Sequence, residues 1–257
     1  MALCRKGAKF LSLGLIVIIT TILLSIIWIH RKNVSAAQSK NDKKIDLPTA
    51  VYNATDNEGS IDTAIRRKRN SRYDDPGSPE IANLNPKLET MRFDTEWEFS
   101  VPPLPVEQSD VVLIGKVSQA KAYLSNDKTN VYSEFTVNVQ KVLKNGSDLS
   151  ISRGDSLSTA RLGGAVRLPD GRIIRAIVTN QNLPQTNSRY VFFLDHNKET
   201  QDYTIITAFE LSDGQIDPLD DADNFTRFNG KNEKVFLKSL KGSIKNSIKN
   251  DKGRVQQ

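Results

Sequence analysis

Three groups of residues in this chain have types and spacings that could do chemistry. The first is Ser156, in the run Gly154-Asp155-Ser156-Leu157. A serine hydroxyl becomes a nucleophile only when a neighbouring base takes its proton. His196 is the one histidine downstream of it; the other, His30, lies far upstream. The simpler reading of Ser156 is a turn leading into a strand. The second group is Asp217, Asp220, Asp221, Asp223 and Asn224, which could offer oxygen ligands to calcium. They lack the spacing and the central glycine of a helix-loop-helix calcium site, so they read as an acidic solvated loop. The third group is Arg161, Arg167, Arg172 and Arg175, gathered around Gly163-Gly164. If they share a face, they form a patch for an anionic ligand or a protein partner; the alternative is scattered surface arginines. Gly163-Gly164 itself has neither the lysine nor the following helix of a phosphate loop, and reads as a bulge or a sharp bend. The expectation is therefore no catalytic set, no metal and no cofactor, with the four arginines as candidate binding residues.

The charge distribution narrows the partner. The chain has 257 residues, with 36 basic and 30 acidic side chains. Residues 105–230 carry 13 basic and 16 acidic groups, whereas 231–257 carry 8 and 2. The region with the strongest folding signals is mildly acidic, which argues against nucleic acid, whose phosphates demand a basic surface. Cys4 is the single cysteine. The rest of the chain has no disulfide and no thiol nucleophile, and must be held by ordinary packing. Cys4 reads as an idle thiol, with palmitoylation as the alternative.

The positions of these groups depend on how the chain is organised. Residues 11–29 form an uncharged apolar run. At about 1.5 Å per residue, a helix of that length approaches the roughly 30 Å hydrocarbon thickness of a bilayer. Trp28 suits the headgroup region at its far end. A cleaved secretory signal is the rival reading, because Ser35-Ala36-Ala37 resembles a cleavage site. Against it, the run is longer than the usual signal core, and Arg31-Lys32 would lie between core and cut. Either way the remainder of the chain is exported. Arg5, Lys6 and Lys9 favour a cytoplasmic N-terminus, with the large C-terminal part outside the cytoplasm. Arg31, Lys32, Lys40, Lys43 and Lys44 oppose that orientation.

Residues 30–105 are rich in Asn, Asp, Ser, Lys and Pro and read as a flexible, disordered linker. Within it, 61–70 is a short helix candidate with a basic cluster at Arg66, Arg67, Lys68, Arg69 and Arg72. Such a cluster suits anionic headgroups or an acidic partner, or is simply solvated. Strand signals then dominate. Residues 110–117 are a compact apolar run with Gly115 inside it, and 131–143 alternates with period two. Further strand candidates lie at 156–162, 172–179, 190–194 and 203–209, separated by Gly, Pro and Asp-Gly turn signals. Finally, Phe236, Leu240, Ile244 and Ile248 recur every four residues among lysines. That is a helix packed on the strands, or a basic amphipathic helix lying on a membrane.

Two resemblances follow. Gly154-Asp155-Ser156-Leu157 resembles the GDSL esterase signature. That family takes its base from a later Asp-x-x-His element, and here Phe193 stands three before His196. The family's signature also opens an α/β domain, and this region alternates as all-β. The runs 110–117, 137–146 and 188–194 resemble the successive strands of netrin and tissue-inhibitor-of-metalloproteinase modules. That resemblance implies an exported OB-type interaction domain. Those inhibitors chelate a protease zinc through an N-terminal cysteine, which has no counterpart after Cys4, so no inhibitory residue carries over.

The expected fold is mainly β: a small antiparallel OB-like barrel with a C-terminal α-helix, preceded by a transmembrane helix and the linker. The expected organisation is a cytoplasmic tail (1–10), a membrane helix (11–29), the linker (30–105), the barrel (106–230) and a basic helix with its tail (231–257). The expected function is non-catalytic binding, by a single-pass membrane-anchored module, of an extracytoplasmic protein or anionic ligand. A serine hydrolase using Ser156 and an OB-type nucleic-acid binder are the alternatives.

Overall fold

The computed structural model describes residues 47–52, 60–94 and 101–254, with backbone alone for 60–63 and 250–254. The membrane helix read over 11–29 and the tail before it lie outside the described residues. Among those described, no helix is long and apolar enough to cross a membrane.

The described residues begin with β1 (Thr49–Val51), α1 (Ser60–Ser71), a 3-10 turn (Ile81–Asn83) and β2 (Thr90–Phe93). Then come β3 (Val111–Leu124), β4 (Val131–Asn145), β5 (Ser156–Leu162), β6 (Gly164–Arg167) and β7 (Ile173–Val178). β8 (Arg189–Asn197), β9 (Asp202–Ser212), β10 (Gln215–Pro218), α2 (Asp223–Thr226), β11 (Lys231–Asn232) and α3 (Glu233–Arg254) complete it. The architecture is mainly β with a C-terminal helix.

The larger sheet runs β11-β10-β9-β5-β4-β3-β8, and β8 pairs again with β9. This departs from a clean antiparallel barrel in two ways. The β5–β9 seam is parallel and only two residue pairs long, Thr159↔Tyr203 and Ala160↔Thr204. It is short because β5 ends at Leu162 and passes through Gly163-Gly164 into a second sheet of order β1-β6-β7-β2.

Alternation explains which residues are inside. Val131, Ser133, Phe135, Val137 and Val139 of β4 are all buried. Phe135, Val137 and Val139 join Val111, Leu113 and Val117 of β3, with Tyr190, Phe192 and Leu194 of β8, in one core. The β3–β4 ladder slips register at three places, one of them between Ile114 and Gly115. Gly115 belongs there because a Cβ would overlap Val137 Cγ1. Another slip leaves Leu143 packed in the opposite core from Val142.

That opposite core lies under α3. Phe236, Leu240 and Ile244 bury their side chains against Val112, Ile114, Val191, Phe193, Phe209 and Leu211. Asn232 starts the helix by accepting the Lys234 and Val235 backbone N–H groups on its Oδ1, at 3.0 and 3.3 Å. Arg189 of β8 donates to both Glu233 oxygens, at 2.8 and 2.9 Å. The apolar stripe holds for three positions, then Ile248 emerges at 44% exposure.

The linker expected over 30–105 is corrected where it is described. β1 and β2 supply both edges of the second sheet, and Ala50 and Ile81 sit in its core with Ala122, Val131, Val166 and Ile174. The polar composition misled because α1 is held by charge rather than by apolar area. Its Arg66 is 7% exposed while its Ile65 is 38% exposed.

Candidate functional site

The four arginines around Gly163-Gly164 do not form one patch. Arg161, on β5, is buried. It donates to both oxygens of Asp220, at 2.7 and 2.8 Å, and to the carbonyls of Asn182 and Ile206. Asp220 is equally enclosed and also accepts from Thr207 Oγ1 and the Asn182 N–H. This pair ties β5 and β9 to the segment after β10, and it faces inward. Arg172 holds the β6–β7 turn, donating from Nε to Asp170 Oδ2 at 2.6 Å and from Nη1 to the Pro86 carbonyl at 3.2 Å.

Arg167 and Arg175 do share a face. In the antiparallel β6–β7 pair, Arg167 lies opposite Ile173 and Arg175 opposite Ala165. Opposed residues point to the same side of a sheet. β1 extends the first row with Val51 beside Arg167, and β2 extends the second with Thr90 beside Arg175. Arg92 follows beside Ile177. The result is an outward face bearing Arg92, Arg167 and Arg175, with Ile173 (42% exposed) beside Arg167 and Val51 (56% exposed) on its other side at the β1 edge. The opposite face buries Val166, Ile174, Ala176 and Val178. At the end of β2, Asp94 accepts a hydrogen bond from Thr179 Oγ1 at 2.7 Å.

The corner at Gly163-Gly164 aims this face. Gly164 has φ +143°, and a Cβ there would lie 2.8 Å from Ser133 Oγ. Ser133 Oγ donates to the Gly163 carbonyl at 2.8 Å, pinning the turn to β4. Sequence reasoning found Arg167 and Arg175 but missed Arg92. The period-two pattern of Thr90-Met91-Arg92-Phe93 was the available signal, hidden in a stretch of linker-like composition.

A second polar constellation lies beneath α1. Arg66 donates to both oxygens of Glu134 and, at 3.0 Å, to Tyr132 Oη; its guanidinium sits 3.7 Å from the Tyr123 ring centre. Arg69 reaches Glu134, Asp202 and the Thr200 carbonyl, and Arg72 donates to Asp202 at 2.6 Å. Tyr73 stacks on Tyr132 at 4.2 Å. Burial pushes the phenols of Tyr73 and Tyr132 well above their ordinary value. The basic cluster, open in sequence to anionic headgroups, an acidic partner or simple solvation, thus spends Arg66, Arg69 and Arg72 on the protein itself.

The other candidates are placed apart. Ser156 opens β5, and its Oγ donates to the Asn138 amide oxygen at 2.9 Å, a group that is not a base. His196 lies on β8, its ring 5.0 Å from that of Tyr203. Of the acidic run, Asp220 is taken by Arg161, Asp221 accepts from Asn182, and Asn224 donates to the Val101 carbonyl. Among the described residues no group of three His, Cys, Asp or Glu could hold a metal ion. No protein-family model matches the chain, and no curated protein matches it.

Proposed function

We propose that this protein is a non-catalytic, membrane-tethered binding module that engages an anionic extracytoplasmic partner through the outer face of its second sheet. The observation that carries this reading is the row Val51–Arg167–Ile173, flanked by Arg175 and Arg92. Guanidinium groups interleaved with exposed aliphatic side chains suit a protein interface, where arginine is enriched and forked donors meet carboxylates. The strand order supports reading β3, β4, β5, β8 and β9 as an OB-like barrel, consistent with a netrin-type interaction module. The tether rests on the uncharged run 11–29, with the N-terminus cytoplasmic.

The test is site-specific photocrosslinking from Ile173 in the membrane-bound full chain. An adduct with an extracytoplasmic protein, lost in Arg167→Glu/Arg175→Glu, is the expected result. No adduct, or one indifferent to the charge reversal, refutes the reading. The same preparation tests the hydrolase alternative. Labelling by a serine-reactive probe that disappears in Ser156→Ala would make this protein an enzyme instead.

A further inference from the structure

α3 has a second face, and the core does not use it. Phe236, Leu240, Ile244 and Ser247 are buried along one side of the helix. Opposite them, Lys234, Lys238, Lys241, Lys245 and Lys249 recur at intervals of four, three, four and four, and all five are exposed. At about 100° per residue, that spacing keeps them within an arc of about 80°, along a row roughly 22 Å long.

This row differs from an ordinary solvated face, which mixes both signs of charge. Between Glu233 and Lys249 the helix has no acidic residue, and Glu233 itself is held by Arg189. Among the described residues, none of the five lysines makes an ion pair. Successive lysines stand three or four apart, where like charges repel and weaken a helix. An anionic partner laid along the row removes that repulsion.

The flanking residues select the partner. Val235 and Ile248, 66% and 44% exposed, border the row on opposite sides, each three residues from a lysine. Aliphatic side chains beside ammonium groups suit a bilayer, whose headgroups take the charge and whose acyl boundary takes the carbon. The one aromatic residue of α3, Phe236, is buried, so nothing on the helix can stack on the bases of a single-stranded nucleic acid. Lysine is also a point charge without the fork of arginine, which suits a diffuse anionic surface better than a single carboxylate or phosphate.

We infer that α3 lies along an anionic phospholipid surface through these five lysines while its apolar side stays docked on the sheet. Because the apolar stripe is committed to the core, the attachment is electrostatic with two shallow apolar contacts, and salt reverses it. It does not depend on the tether at 11–29, and it does not use the outer face of the second sheet.

Gly242 lies inside the row, and a Cβ there meets no atom within 4 Å. The test attaches a fluorophore at Gly242→Cys in the full chain, with Cys4, the single native cysteine, changed to serine. The protein is reconstituted with phosphatidylcholine vesicles, with and without phosphatidylglycerol, that carry a headgroup-level quencher. Quenching is expected to be several-fold stronger with phosphatidylglycerol and to disappear in high salt. Lys238→Gln/Lys241→Gln/Lys245→Gln is expected to need at least about tenfold more phosphatidylglycerol for the same quenching. Lys238→Arg/Lys241→Arg/Lys245→Arg is expected to retain it. Equal quenching by the two lipids, or quenching indifferent to the glutamine changes, overturns the proposal. So does capture of heparin or duplex DNA by a chain that the vesicles leave unquenched. Failure of the tether gives a different result: the protein then floats with vesicles only when phosphatidylglycerol is present. Failure of the α3 contact leaves it floating with both lipids and unquenched.

Discussion

Arg161 and Asp220 form a two-point ion pair in which both side chains are enclosed, with N–O distances of 2.7 and 2.8 Å. The pair joins a strand of the larger sheet to the segment following β10, and Thr207 and Asn182 complete the hydrogen bonding of the carboxylate. An arginine first read as a ligand contact is therefore an internal tie.

Asp220→Ala is expected to lower the unfolding free energy by about 3–5 kcal/mol, because it leaves the Arg161 cation buried without a counter-charge. The pair exchanged for Arg161→Met/Asp220→Leu is expected to recover most of that loss. Urea unfolding followed by circular dichroism measures both, and a single variant as stable as wild type contradicts the assignment.

Stability is expected to fall in alkali. Burial pushes the Tyr190 phenol up to about 12 and raises Tyr73 and Tyr132 as well. An unfolded phenol ionises near about pH 10. The folded state holds these protons more tightly, so their contribution is complete below about pH 10 and is lost as pH rises from there through the folded values. Phenolate absorbance and circular dichroism should therefore change together. Ionisation of all six tyrosines near their ordinary value in an intact fold would rule this out.

Gly164→Ala is expected to destabilise the second sheet by about 1–3 kcal/mol. The residue has φ +143°, and the new methyl would press on Ser133 Oγ and, at 3.2 Å, on the Pro48 carbonyl. Faster amide exchange in β6 and β7 than in β3 and β4 is the expected signature.

Phe236→Ala is expected to cost about 3–5 kcal/mol and to loosen α3. Phe236 meets Phe209 at 5.0 Å and Phe228 at 5.6 Å between ring centres. Ile248→Ala, at a position where the helix has left the core, should change thermal stability little. Equal losses for the two would mean that α3 docks along its whole length.

The sequence by itself determined the strands at β3, β4, β5, β7, β8 and β9, the position of α1 and the docking face of α3. Period-two and period-four spacing of apolar residues is local, so it is written along the chain. Val137 and Val139 are inside because of their own spacing, as are Phe236 and Leu240. What only the tertiary structure decided is where the charges go. Arg161, Arg167, Arg172 and Arg175 look alike in sequence. One is an internal tie, one clamps a turn and two line an outer face. The reason is physical: a guanidinium is long and polar, and its environment is set by carboxylates far away in sequence. Asp220 lies 59 residues from Arg161, and Glu134 lies 68 from Arg66. Composition marked 60–94 as linker because it counts apolar residues. Its first part, residues 66–73, folds onto the body through arginine and tyrosine, whose partners become neighbours only once β4 and β9 are in place, while Ile81 and β2 join the second sheet and its core.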